Sequence, residues 1–195
     1  AGNTNGTNPD TIALFAQGHE DGAPNSYAAI FSGSAGGVVG INTMEPTVEL
    51  DIVGTLAATK TKLAKTTTDV ANHNGEVVFF GGTTSMDNGK IYYYNASGGW
   101  TIANADALAD SKGLLAVALG DASDTDGMLI RGMVTLDHDP GAVADVLYLS
   151  TTDGQASSTA PSGNNHVVRT LGYCLDASNG QIYFNPSNDF IVITA

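Results

Sequence analysis

The segment "YCLDASNGQIYFN", residues 173–185, carries the clearest strand–turn–strand pattern of the chain. Its centre, Ser178-Asn179-Gly180, is the type of turn that supplies a positive φ angle, and apolar and aromatic residues flank it directly on both sides. The segment therefore predicts a β-hairpin.

Similar strand candidates recur at regular intervals on both sides of this hairpin. They are short, rich in Val, Ile, Leu and Tyr, and separated by Asn-Gly or Asp-Gly turns at 87–89, 125–127 and 152–154. The candidates are EVVFF (76–80), KIYYYN (90–95), GLLAVAL (113–119), GMLIRGMVTL (127–136), DVLYLST (145–151), HVVRTLGYCL (166–175), QIYFN (181–185) and FIVITA (190–195).

One Ala-rich stretch interrupts this series of strands. "NADALADSKG", residues 104–113, predicts one or two helical turns, with Asn104 as the N-cap and Gly113 as the stop. Eight strand candidates with so little helix predict an all-β fold, with a compact barrel or sandwich as the main domain.

Length and composition agree with this fold class and exclude some partners. The chain has 195 residues, 24 of them Gly, and is 42% hydrophobic, which suffices for one sizeable domain plus a smaller element. Its formal charge of −13 would repel nucleic acid and anionic membranes. Since no apolar run approaches the ~20 residues of a membrane span, we expect no membrane insertion.

The stretch "TVELDIVG", residues 47–54, alternates strictly between apolar and acidic residues. Val48, Leu50 and Ile52 point to one face, as in a half-buried strand. That apolar face needs a partner to cover it.

No residue pattern in the sequence points to catalysis, a metal or a cofactor. Asp121, Asp124 and Asp126 are clustered as in a calcium site, but the EF-hand spacing would place Ala122 and Met133 at ligand positions. An acidic surface turn is the favoured interpretation. There is no nucleophile elbow that leads into a helix and no phosphate-binding glycine loop.

Aromatic residues are the remaining candidates for recognition, because their rings anchor contacts at a small entropic cost. Tyr92, Tyr93 and Tyr94 are consecutive, so they divide between the two faces of a strand, and at least one should be exposed on an open sheet. Trp100 follows a glycine turn, where an interior or capping position competes with a ligand contact.

Residues 27–59 contain a series of short motifs whose order is more informative than the chemistry of any single residue in them. It consists of VGINT (39–43), Pro46, LDI (50–52) and Gly54. This series resembles a segment that recurs in bacteriophage tail fibres and related virion fibre proteins, although the family has Gly where Asn42 stands. The second half, from "GLLAVALG" to "IYFNPSNDFI", resembles a module at the ends of fibre-like proteins of phages of aquatic bacteria.

The resemblance implies a structural fibre protein, assembled in the host cytoplasm into the virion, which attaches the virion to the host cell. Its partners would be two further copies in an intertwined homotrimer, other virion proteins, and a host-surface glycan or protein. Residues 1–54 would form a collar-like β element, 55–73 a connector and 74–195 the head domain. The expected trimer core is Val48, Leu50 and Ile52. The expected contact residues are Trp100, Tyr92, Tyr94, Asp121, Asp124 and Asp126.

Three other functions stay open from the sequence. A capsid fibre or decoration protein would use the same Gly- and Asp-rich β module. A virion-associated polysaccharide depolymerase is a second alternative, although such enzymes usually carry a longer repetitive β-helix than this chain can build. A bacterial surface filament subunit is the third.

Overall fold

The computed structural model describes residues 39–41, 50–52 and 62–194. The chain forms two compact units, Ala1–Lys60 and Thr61–Ala195. In the first unit, β1 (Val39–Ile41) and β2 (Leu50–Ile52) pair in parallel. The strand predicted over 47–54 is thus confirmed at Leu50–Ile52, and Val48 lies outside the described residues.

The second unit is built of short strands. They are β3 (His73–Val78), β4 (Ile91–Tyr94), β5 (Trp100–Ile102), β6 (Leu115–Ala118), β7 (Met128–Thr135), β8 (Val146–Leu149), β9 (Ala156–Ser157), β10 (Val167–Val168), β11 (Thr170–Cys174), β12 (Gln181–Phe184) and β13 (Ile191–Val192). The all-β prediction is confirmed.

One antiparallel sheet, curled into a half-barrel, dominates this unit. Its strands follow the order β5-β4-β6-β7-β12-β11-β8-β9, and β3 pairs with β7 as well. A separate small sheet consists of β10 and β13. β7 is the longest strand, and it joins the two halves of the main sheet because it bonds to β6, β12 and β3.

The hairpin predicted over 173–185 is confirmed. β11 and β12 are antiparallel neighbours, with Tyr173 directly opposite Tyr183. Gly180 has φ +64° and ends the turn, in a conformation that costs glycine little. The glycines of the three other predicted turns, Gly89, Gly127 and Gly154, also have positive φ.

Two apolar clusters cover opposite faces of the strands around β4. The first is the interior of the half-barrel, and its largest fully buried members include Ile91, Leu129, Leu171 and Phe184. The second cluster is built around Tyr92, Trp100 and Met128. All four residues of β6 are buried, because this strand lies between the two clusters.

The helical turn predicted at 104–113 is a single 3₁₀ turn, Leu108–Asp110. Asn104 is not its N-cap, so that prediction was wrong. The cap position is Ala107, which has no side-chain hydrogen bond, while Asn104 donates to the Thr151 carbonyl and the Asp153 carboxylate. Within the described ranges, no helix is long and apolar enough to cross a membrane.

Candidate binding face

Trp100, predicted as a contact residue, lies in the interior, with only 4% of its surface exposed. Its indole N–H donates to the Phe80 carbonyl at 2.8 Å, and its ring lies against Phe80 and Tyr94 at centroid distances of 5.5 and 5.1 Å. The contact prediction for Trp100 was wrong, because the glycine turn folds the ring into the second apolar cluster instead of displaying it.

Of the three tyrosines of β4, Tyr92 is buried, and Tyr93 and Tyr94 are half-buried. Tyr92 is buried, its hydroxyl accepts a hydrogen bond from the Asp87 N–H at 2.9 Å, and burial raises its pKa. Tyr94 packs edge-on against Phe80 at 5.0 Å, and Tyr93 packs against the half-barrel interior. The expectation that one of them would be exposed was wrong, because the second cluster covers the face that an open sheet would leave to solvent.

The aspartates of 121–126 form an exposed turn held by their own carboxylates. Asp124 accepts hydrogen bonds from the Gly82 N–H at 2.8 Å and the Ser123 hydroxyl at 3.0 Å. Asp126 accepts one from the Ala122 N–H at 2.9 Å. In the described part of the chain, no three His, Cys, Asp or Glu residues form a group that could hold a metal ion.

The structure places a row of apolar and aromatic side chains on the face of the main sheet opposite the first apolar cluster, at a position that the sequence analysis did not select. Two of them are exposed, Val146 and Tyr173, and two are half-buried, Met133 and Tyr183. Val146, Tyr173, Tyr183 and Met133 stand on β8, β11, β12 and β7, each in direct register with the next. Residues in direct register point to the same face of a sheet. We call this set the tyrosine row.

The tyrosine row is accessible because its alternate neighbours, not its own members, face the interior. Cys174, Ile182 and Val134 are buried, whereas Tyr173 is 51% exposed and Tyr183 and Met133 are half-buried. Beside the row, the loop residue Val143 is 62% exposed. This part of the sheet therefore has one face covered and one face open, unlike β4 and β6.

The first concavity on this face is apolar. It has a volume of about 600 Å³ and lies between Met133, Val143, Tyr173 and Tyr183. It is wide open to solvent, so a group bound there would be covered on one side. We call it the apolar concavity.

A second concavity shares Tyr183 with the first. It has a volume of about 250 Å³ and is lined by Leu63, Gly75, Glu76, Arg131 and Tyr183. The Arg131 guanidinium lies 3.8 Å from the Glu76 carboxylate, and the two side chains are 55% and 64% exposed. The pKa of Arg131 is raised, mainly by a hydrogen bond with the Tyr183 hydroxyl and to a smaller extent by the negative charge of Glu76. We call this the ion-pair concavity.

A third concavity, near the loop 150–166, is less suited to recognition. It has a volume of about 290 Å³ and is lined mainly by Ser and Thr hydroxyls with His166. Its lining has no Phe, Tyr or Trp ring and no residue that carries a permanent charge. The tyrosine row, with its two concavities, is therefore the better candidate.

The sequence contained a signal for the tyrosine row that residue-by-residue inspection missed. Tyr173 and Tyr183 flank the hairpin turn at equal distances from Ser178, so an antiparallel register centred there places them opposite each other. No such local pattern exists for Arg131 and Glu76, because these residues become neighbours only through the long-range pairing of β3 with β7.

Comparison with known proteins finds no match, either to a protein-family model or to a curated protein sequence. The geometry itself supports non-covalent recognition. It combines two aromatic rings on rigid strands with one apolar hollow and one polar hollow on a surface open to solvent.

Proposed function

We propose that this protein is a structural fibre protein of a bacteriophage virion, which forms its distal part and attaches the virion to the host surface by non-covalent binding. The bound partner would be a surface glycan or protein, and the protein would not be an enzyme. The observation that carries the proposal is the open tyrosine row beside two concavities. The phage-fibre series of motifs in residues 27–59 supports the virion setting.

The content of the two concavities favours binding over catalysis. Glycoside cleavage generally uses two carboxyl groups placed about 5–10 Å apart across the scissile bond. Among the residues that line the tyrosine-row concavities, Glu76 is the one carboxylate, and it lies beside Arg131. A depolymerase would need a second carboxylate at this site.

The proposed fibre is a homotrimer whose chains meet at the apolar face of residues 48–52. Leu50→Asp and Ile52→Asp together place two carboxylates on that face, so native mass spectrometry should show loss of a trimer that the unchanged chain forms. Asp51→Asn is the matched control, because period-2 alternation directs this residue to the other face. A monomeric unchanged chain would contradict the trimer, and a stable trimer with both substitutions would contradict the role of this face.

The proposed attachment predicts binding of the isolated protein to cells. Fluorescently labelled full-length chain should bind saturably to intact cells of the bacterium that the source phage infects, and excess unlabelled chain should compete. A non-host bacterium is the control. Equal or absent binding to both bacteria would contradict an attachment function.

The capsid alternative is favoured by the same open face, which would also suit contact with another virion protein. Immunogold labelling of whole virions separates the two functions. Label at the distal end of the tail supports attachment, and label on the head supports a capsid fibre or decoration protein.

A further inference from the structure

We propose that the two concavities around Tyr183 form one saccharide site, which takes a neutral sugar that carries an apolar substituent such as an acetamido methyl or a 6-deoxy methyl group. The sugar ring would lie in the ion-pair concavity, and its apolar substituent would enter the apolar concavity. This inference rests on the proposed attachment function and names the ligand class of its site.

The ion-pair concavity offers the groups that a sugar ring requires. Glu76 accepts hydrogen bonds, Arg131 donates them, and the Tyr183 hydroxyl does both, so vicinal sugar hydroxyls can exchange bonds with all three. The Tyr183 ring gives an aromatic face for the C–H groups of the sugar. A volume of about 250 Å³ admits one hexose ring.

The apolar concavity is the reason that we expect the sugar to carry an apolar substituent, which would bind there. It shares Tyr183 with the ion-pair concavity, and it is also lined by Met133, Val143 and Tyr173. A sugar with hydroxyl groups alone would leave this hollow filled with water against apolar walls. Burial of one methyl group there should raise affinity about fourfold.

Charge favours a neutral sugar over a protein partner or an acidic sugar as the ligand of this site. A second copy of the chain or another protein would have to desolvate the exposed Arg131–Glu76 pair, and Glu is among the residue types that are depleted in protein interfaces, although Tyr, Met and Arg are enriched there. An acidic sugar would be opposed by the formal charge of −13. The hydroxyl groups of a neutral sugar can replace the water that hydrates Arg131 and Glu76 without adding charge to the site.

The test uses the full-length chain with methionine methyl groups labelled with ¹³C. Met133 lines the apolar concavity, while Met86 and Met128 are buried in the second cluster and serve as internal controls. The probes are methyl glycosides of acetamido and 6-deoxy sugars, compared with methyl glucoside, galactoside, mannoside and glucuronide, at up to about 50 mM, a range that detects dissociation constants weaker than about 1 mM. We expect acetamido or 6-deoxy probes to shift the Met133 resonance, with an affinity about fourfold above that of the plain sugars.

Substitutions locate the binding. Tyr183→Ala should weaken it about tenfold through loss of the ring face, and Glu76→Gln and the exposed Tyr173→Ala should each weaken it less. Phe190→Ala is the matched control, because Phe190 is exposed but lines neither concavity. The proposal is overturned if no probe shifts Met133, if the glucuronide binds best, or if Tyr173→Ala and Tyr183→Ala both leave the shifts unchanged.

Two further outcomes separate this inference from the proposed function. If the chain binds host cells and neither tyrosine substitution reduces that binding, the saccharide site is wrong and attachment stands. If Tyr173→Ala dissociates the assembly in native mass spectrometry, the face is a contact between copies, which also overturns the site.

Discussion

Arg169→Met should lower the free energy of unfolding of the second unit by about 2–5 kcal/mol. The Arg169 side chain is buried, and its guanidinium donates to three backbone carbonyls, those of Ser187 at 2.7 Å, Ser111 at 2.7 Å and Gly113 at 2.8 Å. These carbonyls belong to segments distant in sequence, so one side chain joins the end of the 3₁₀ turn to the chain after β12.

The size of this effect follows from what the substitution leaves behind. Methionine fills part of the volume but donates no hydrogen bond. The Ser111 carbonyl is then buried without a partner, which costs about 1–3 kcal/mol, and the two part-buried hydrogen bonds to Ser187 and Gly113 are lost at about 0.5–1.5 kcal/mol each. Burial already lowers the pKa of Arg169, which shows that the charge is held against a desolvation cost that these hydrogen bonds offset. Arg169→Lys should lose nearly as much stability, because a single ammonium lacks the planar fork that reaches three acceptors.

Urea unfolding followed by circular dichroism measures this effect. The matched control is Lys112→Met, which removes an exposed cation between Ser111 and Gly113 and should change stability by no more than about 0.5 kcal/mol. Equal stability of Arg169→Met and Lys112→Met would show that the buried guanidinium does not hold these segments together.

Gly172→Ala should cost about 3–5 kcal/mol, since it adds a steric clash to a strained backbone angle. Gly172 lies in β11 with φ +139°, opposite Phe184 of β12. A Cβ atom there would overlap the Tyr183 carbonyl oxygen and lie 3.3 Å from the Asn185 nitrogen. The obstacle is the backbone of the neighbouring strand, which cannot rotate away as a side chain can.

This position also shapes the sheet. The register between β11 and β8 shifts between Thr170 and Gly172, as in a β-bulge, which bends a strand and increases its twist. The measurement is again urea unfolding, and Gly82→Ala is the matched control. Gly82 has φ +58°, but nothing lies within 4 Å of its Cβ position, so only the backbone cost of about 1 kcal/mol applies. Equal losses for the two variants would contradict the clash.

The sequence predicted those parts of the fold that local chemistry determines. The turn Ser178-Asn179-Gly180 and its flanking strands follow from positive φ and from β propensity, which act within a few residues. The two-sided burial of β4 could not be predicted in this way. In "IYYY" every residue is suited to burial, so periodicity does not distinguish an open face from a covered one.

The predicted contact residues were selected by residue type, and burial depends on the tertiary neighbours of each residue. Trp100 and Tyr92 are aromatic, but the second apolar cluster covers them. Tyr173 is aromatic in an equally apolar segment, but no described element of the second unit covers its side of the sheet to the same extent. The local pattern is similar in the two cases, so only the strand order separates the buried Tyr92 from the exposed Tyr173.

The tyrosine row stands on strands that are joined through backbone hydrogen bonds, and backbone ladders do not depend on which side chain each residue carries. Side chains on this open face can therefore be exchanged at little cost to folding, provided that they suit a strand. Recognition and folding are thus encoded by different residues of the same strands. A lineage under pressure to bind a new target could vary Val146, Tyr173, Tyr183 and Met133 while it kept their buried neighbours unchanged.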